Sequence, residues 1–315
     1  MSARGALTSI LLALTLGFAC EKRAPGAPHI DMAAAQAGVD TAMTTHFSAF
    51  EHGDLDSWGG LLAADVFFTA ADPAHVFAGR DSVLAAMKKA VALTTGGGIT
   101  LSIRPRSKLI WVAEDGRTAG ATYDLDYTVS YQDQAFPYRL RSSYLLARDT
   151  SGWKAMVAQY SRATFYDTLF MSLVRGRVAG AARVGGQVVS SAGEIVRQFR
   201  TDIRDIRMAN FASNAAVVTP GSIVEGAEAA RSDLAQWLGP AGNATEPGDG
   251  VRAQLNPSGT VGWVATNLHV PIFAGPESAI APMRALFVYR LGENRWEIIQ
   301  ASLSVGWRED VSGQR

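Results

Sequence analysis

The sequence predicts an α+β protein of two tandem domains, each with N-terminal helices packed on a curved antiparallel sheet. Three observations predict it. Helical periodicity comes first and a run of strand-like segments follows, the order of an α+β layered domain. The stretch Asp65–Met87, DVFFTAADPAHVFAGRDSVLAAM, reads as strand, turn, short strand, glycine and helix, and a degenerate copy, NAAVVTPGSIVEGAEAARSDLAQWL, runs from Asn214 to Leu238. Later landmarks recur in order: Gly79 with Gly226, Gly120 with Gly262, Arg148 with Arg290 and Trp153 with Trp296, at offsets of 147, 142, 142 and 143 residues. Ordered matches at nearly constant spacing mark an internal duplication.

The chain of 315 residues divides on this reading into a signal (1–20), a tether (21–34), a first domain (35–163), a partly helical linker (164–192), a second domain (193–308) and a tail (309–315). With 48% hydrophobic and 18% charged residues it has the balance of a folded globular protein. Lys+Arg and Asp+Glu both number 29, so net charge gives no reason to expect a nucleic-acid partner.

The first twenty residues place Arg4 ahead of an apolar run from Ala6 to Ala19, which ends at Cys20, the sole cysteine. That run is too short and too early for a permanent span and has the layout of an export signal. It resembles a bacterial lipoprotein signal, with Gly17 where a leucine is usual. The resemblance implies lipid attachment at Cys20 and a tether through Pro25, Gly26 and Pro28. Glu21, in place of an inner-membrane retention aspartate, favours the outer membrane, on its periplasmic side. Once Cys20 is spent, the body holds no thiol for catalysis or metal binding.

In the first repeat, Val39, Met43, Phe47 and Phe50 fall on one helical face. Gly53 suits a left-handed turn, Asp54 or Asp56 a cap for a short helix that turns Trp58 inward, and Asp81 or Ser82 a cap for a third helix. Strand-like segments follow at Ile99–Ile103, Lys108–Ala113, Arg117–Tyr131, Pro137–Arg148 and Trp153–Gln159, with hairpin turns at Asp115-Gly116 and Ser151-Gly152. In the second repeat Ile195, Phe199, Ile203 and Ile206 repeat the spacing of the first helix. The other side of that helix carries Arg197, Arg200, Arg204 and Arg207, either a solvated face or a stripe for an acidic surface. Between the repeats, Arg175, Arg177 and Arg183 interrupt every apolar run and argue against a span.

Helix, short helix with an acidic start, AADVFFTAADPAHVFAGRDSVLAAM and a meander of long strands resemble the nuclear transport factor 2-like superfamily, more narrowly its SnoaL-like and ketosteroid-isomerase-like members. The resemblance covers about residues 35–162 and, more weakly, 193–305. It implies cone-shaped domains enclosing a pocket, in a superfamily of isomerases, cyclases, dehydratases and non-catalytic binding proteins. The isomerase-like members carry a carboxylate shortly after the aspartate that closes the second helix. Here that aspartate is Asp65 and the nearest candidate is Asp72, two residues beyond the isomerase spacing. Asp72 before Pro73 is equally an ordinary turn residue. His75 either pairs with Asp72 or is an exposed turn residue.

No phosphate loop, dinucleotide fingerprint or nucleophile elbow occurs, and no histidine or acidic group has metal-ligand spacing, so no cofactor and no metal are expected. His46 and His52 lie six residues apart on the first helix and face different ways. Strand alternation turns Tyr123, Leu125 and Tyr127 to one face and Asp124 and Asp126 to the other. With Trp58, Tyr123 and Tyr127 either line an apolar cavity or pack as plain core. At the offset of 142 their counterparts include Asn267 and His269, whereas the apolar face there is Val264, Leu268 and Val270. Either the two pockets differ in polarity or the register slips by one residue. The expectation is a tethered protein binding a small apolar molecule or a partner protein, with an isomerase, cyclase or dehydratase using Asp72 as the alternative. The two repeats can also pack sheet to sheet as an internal pseudo-dimer, with Asp124 and Asp126 then needing partners.

Overall fold

The computed structural model describes residues 30–71, 75–95, 97–176, 178, 184, 187–188, 190–239, 244–246 and 250–305. Cys20, Asp72 and the tail 309–315 lie outside the described residues. Among those described, no helix is long and apolar enough to cross a membrane.

The first domain opens with α1 (Met32–Glu51), started by Asp31, whose side chain accepts from the Ala34 N–H at 3.0 Å. Its buried stripe is Val39, Met43 and Phe47, joined by His46. Gly53 turns the chain at φ +73°, and Asp54 caps α2 (Leu55–Gly60) by accepting from the Ser57 N–H at 3.0 Å. Next come β1 (Leu62–Thr69), β2 (Val76–Ala78) and α3 (Arg80–Thr95). The third helix begins directly after Gly79, itself at φ +90°, so it starts ahead of the expected caps at Asp81 and Ser82. The meander is β3 (Ile99–Val112), β4 (Thr118–Tyr131), β5 (Gln134–Asp149) and β6 (Gly152–Arg162). The segments expected apart at Ile99–Ile103 and Lys108–Ala113 form one strand with an irregularity between Pro105 and Ser107. Proline has no N–H for the ladder, so the strand bulges there and resumes. The sheet order is β2-β1-β6-β5-β4-β3. It is antiparallel except where β1 joins β6 in parallel.

After α4 (Tyr166–Val174) and β7 (Gln187–Val188), the plan repeats as α5 (Gly193–Arg204), β8 (Phe211–Val218), β9 (Ile223–Glu225), α6 (Ala227–Leu238), β10 (Val251–Leu255), β11 (Val261–Ala274), β12 (Glu277–Leu291) and β13 (Trp296–Val305). Its sheet order is β7-β10-β11-β12-β13-β8-β9, with β8 again parallel to β13.

Strand pairing fixes how the repeats correspond. The β5–β6 ladder shifts between Leu145 and Leu146, and the β12–β13 ladder shifts between Val288 and Tyr289. Leu145 faces Gly120, and Val288 faces Trp263. Superposing the two bulges sets the offset at 143, so Gly120 corresponds to Trp263, and the match with Gly262 was one residue out. A one-residue slip exchanges the two faces of a strand. The counterparts of Tyr123, Leu125 and Tyr127 are therefore Thr266, Leu268 and Val270, not Asn267 and His269.

Each sheet packs its concave face on its own helices. A third apolar cluster joins the outer faces of the two sheets, with Phe67, Leu145 and Val157 from the first and Trp263, Leu286 and Val288 from the second. Trp263 stacks on Phe67, ring centroids 6.0 Å apart and 12° from parallel. Some polar groups pair across this seam, while Trp263 Nε1 and Gln300 Nε2 are buried without a hydrogen-bond partner among the described residues. Gln159 Nε2 donates to Ser304 Oγ at 3.1 Å, Asn256 Nδ2 to Thr118 Oγ1 at 3.1 Å, and Trp111 Nε1 to Gln300 Oε1 at 2.9 Å. Gly120 leaves the room that Trp111 and Gln300 occupy. Asp124, buried on the outer face, accepts from Arg139 Nε at 2.9 Å, and the half-exposed Asp126 pairs with Arg106 at 3.3 Å.

Candidate functional site: an apolar cavity in the first domain

Inside the first cone lies a cavity of about 160 Å³. Helical periodicity brings Phe47 and Phe50 of α1 and Trp58 of α2 to one wall. Strand alternation brings Leu125 and Tyr127 of β4, Leu140 of β5 and Tyr160 of β6 to the opposite one. Phe68, Ala70, Ala71, Met87 and Ile103 complete the lining. None of these side chains is charged. The polar side-chain groups are the two tyrosine hydroxyls and the Trp58 indole N–H, so the lining carries no charge and few hydrogen-bonding groups.

Behind the lining sits a buried polar cluster. The hydroxyls of Tyr160 and Tyr144 are hydrogen-bonded to each other. Burial raises both pKa values, and burial followed by the neighbouring Tyr138 pushes Tyr127 up to about 12. All three are neutral phenols near pH 7. His46 stacks on Trp58 at 5.1 Å and 20°, and its Nδ1–H donates to the Trp58 carbonyl at 3.0 Å. That bond sets the tautomer, leaving Nε2 a buried acceptor without a hydrogen-bond partner. Burial lowers its pKa to about 4, so the ring is uncharged and packs beneath the Trp58 wall.

The residues singled out from the sequence separate here. Trp58 and Tyr127 line the cavity. Tyr123 is buried beside it, edge-on to Phe47 at 5.0 Å. His75 is exposed, stacks on Phe77 at 5.6 Å, and accepts the Ala70 N–H at its carbonyl, 3.0 Å away. Asp72 lies outside the described residues, but Ala70 and Ala71, which lead to it, form part of the wall. His46, weighed from the sequence only against His52 for metal-ligand spacing, lies on the buried side of α1. Among the described residues no group of three or more His, Asp or Glu side chains is arranged to hold a metal ion.

In the second cone the corresponding positions are packed among the described residues. The counterparts of Leu125, Tyr127, Leu140 and Tyr160 are Leu268, Val270, Met283 and Leu303, all buried in one core cluster. Leu169 and Phe170 of α4 enter the same cluster, and Tyr166 Oη accepts the Phe273 N–H at 3.0 Å. The helix that follows the first domain thus closes the second. Deeper in, Asp202 of α5 accepts from Gln198 Nε2 at 2.8 Å and from the Tyr289 hydroxyl at 3.0 Å. Burial raises its pKa to about 6 against the lowering effect of those two donors.

Helices packed on the concave face of a bent sheet give the nuclear transport factor 2-like α+β fold, and that plan occurs here twice. Residues 39–165 match the family model of a SnoaL-like domain. Similar solved structures include a putative dehydratase of the NTF2-like family from Streptomyces avermitilis (18% identity, 42% of this chain and 99% of that one, TM-score 0.38). Others are an NTF2-like protein of unknown function from Pseudomonas putida KT2440 (18%, 42% and 89%, TM-score 0.36) and a ketosteroid isomerase-like protein from Erwinia carotovora atroseptica SCRI1043 (14%, 41% and 97%, TM-score 0.34). Similarity at this level carries nothing about activity. No curated protein matches the sequence.

Proposed function

We propose that this is an exported, membrane-tethered binding protein whose first domain takes up a small, neutral, largely apolar molecule. The observation that carries the reading is the cavity itself: aromatic, free of charged side chains in its lining, and about 160 Å³ in volume. That is close to the roughly 150 Å³ of a dry engineered cavity that takes benzene. It points to a single-ring molecule, with the Tyr127 and Tyr160 hydroxyls to orient one polar group.

The test is titration of wild-type protein with 4-fluorophenol followed by ¹⁹F NMR. Leu125→Trp, which fills the cavity, should abolish binding while leaving the protein folded. Wild-type protein that takes up neither 4-fluorophenol nor toluene would refute the reading, as would binding indifferent to Leu125→Trp.

Tethering rests on the signal-like residues 1–20 and the sole cysteine at their end. Cys20→Ser should move the protein from the membrane to the soluble fraction; unchanged attachment would sink the lipid anchor.

A second reading is supported by Ala70 and Ala71 in the cavity wall, immediately before Asp72. It makes the domain an isomerase, cyclase or dehydratase with Asp72 as general base. Asp72→Asn separates the two: loss of turnover with ligand binding retained supports the enzyme, and unchanged turnover rules Asp72 out.

A further inference from the structure

We propose that the second domain is a clamp on one wall of the first domain's cavity, with Arg284 as its positioning residue. Arg284 lies on the outer face of β12, only 2% exposed, and its guanidinium donates to the carbonyl of Ala70 in the other domain. Ala70 is part of the cavity wall, and its N–H is held by the His75 carbonyl at 3.0 Å. Both backbone groups of this wall residue are therefore fixed, one from within its own turn and one across the seam. Three residues earlier, Phe67 is gripped from the same side. Trp263 stacks on its ring, and the Arg252 guanidinium lies 5.1 Å from the ring centroid. Charge-assisted hydrogen bonds are among the stronger ones a protein makes, and a buried arginine holds its geometry through a rigid fork.

The grip is reciprocal. Arg141 of β5 is the counterpart of Arg284 at the offset of 143 and is likewise buried, at 4% exposure. It donates to the carbonyls of Thr219 at 2.8 Å, Gly221 at 3.0 Å and Pro220 between them. Those three residues form the β8–β9 turn, the counterpart of the turn that Ala70 enters. Each domain thus holds the other's turn with the same arginine. The consequences differ: Ala70 borders the cavity, whereas Ala215 and Val217, which lead into the turn at 219–221, lie in the packed core of the second domain. Only the contact made by Arg284 sets the position of a wall against which a ligand would rest. The duplicated domain thus serves the first as the fixed half of a dimer.

The effect on occupancy rests on the ligand-binding reading; the effect on the turn does not. Amide hydrogen exchange of the ligand-free protein, read by NMR at Ala70 and at Thr219, tests the turn. The Ala70 N–H is bonded to the His75 carbonyl, and the Thr219 N–H to the Ser222 carbonyl at 3.0 Å. Arg284→Met should speed exchange at Ala70 at least about tenfold while leaving Thr219 slow, and Arg141→Met should do the reverse. Arg284→Lys, which keeps the charge, should fall between wild type and Met. 4-Fluorophenol affinity should weaken several-fold in Arg284→Met and stay unchanged in Arg141→Met. Unchanged exchange at Ala70 in Arg284→Met would overturn the clamp, as would equal acceleration at both amides. If Arg284→Met does not fold, the same comparison in Arg284→Lys decides. Exchange that responds in a protein that binds no 4-fluorophenol would retire the ligand reading and leave the clamp standing.

Discussion

Replacing Asp202 with asparagine should change the pH dependence of stability in a calculable way. The carboxyl ionises near 3.8 when unfolded and near 6 in the folded protein, chiefly because burial disfavours its charge. A folded-state pKa above the unfolded one means that the native state binds the proton more tightly. The protonated group therefore favours the fold below pH 3.8, and that advantage is lost as the pH rises through about 6. At about 1.36 kcal/mol per pH unit the full loss is about 3 kcal/mol. Roughly half has already gone by pH 5, so about 1.5 kcal/mol remains to be lost between pH 5 and pH 8. Asp202→Asn does not titrate, and its amide oxygen can still accept from Tyr289 or Gln198. Urea unfolding of both proteins at pH 5, 6, 7 and 8 gives the difference directly, and other titrating groups cancel in it. The variant should gain on wild type by about 1.5 kcal/mol across that range, with most of the gain before pH 7. A difference flat to within a few tenths of a kcal/mol, or one of opposite sign, would refute the account of Asp202. A ¹³C titration of the carboxyl should give a midpoint well above 3.8.

His46 should behave in the opposite sense. Its pKa is about 4 against an ordinary 6.5, so its contribution is intact above pH 6.5 and is lost, by about 3 kcal/mol, as pH falls towards 4; an NMR titration in which the ring protonates near pH 6.5 would contradict its burial. Gly120→Ala puts a methyl group against Trp111 and Gln300 at the seam and should cost about 1–3 kcal/mol in urea unfolding; a neutral result would mean that the seam is loosely packed. Leu169→Ala, which removes an α4 side chain from the second core, should cost about 2–4 kcal/mol, and a loss under about 0.5 would show that α4 does not seat there.

Much of the architecture was legible because it rests on local rules. The Val39–Met43–Phe47 spacing makes an amphipathic helix, Gly53 and Gly79 mark left-handed turns, and alternation along Thr118–Tyr131 separates an inner from an outer face. Correspondence between the repeats was harder. Glycine matches such as Gly120 with Gly262 carry no side-chain direction, and only the paired bulges at Leu145 and Val288 revealed the one-residue slip. Trp58 and Tyr127 border the cavity, one of the two outcomes their periodicity left open, whereas Tyr123, two residues from Leu125 on the same face, packs edge-on to Phe47. Alternation fixes a face, but sheet curvature decides which residues on that face border empty space. Nor could periodicity assign α4 to the second core or pair Arg284 with Ala70, because both depend on contacts between distant parts of the chain.

The seam between the sheets has a consequence for synthesis. The first domain's last strand ends at Arg162, yet the strand that completes the opposing sheet ends at Val305, 143 residues later. At about 5–20 residues per second, some 7–30 s pass between the two. Throughout that interval Phe67, Leu145 and Val157 lack their cover, and Arg141 lacks the carbonyls it will hold. A half-made chain therefore displays a partly apolar outer sheet face whose natural complement is another half-made chain. The covalent link between the repeats settles that competition by keeping the correct partner always within reach.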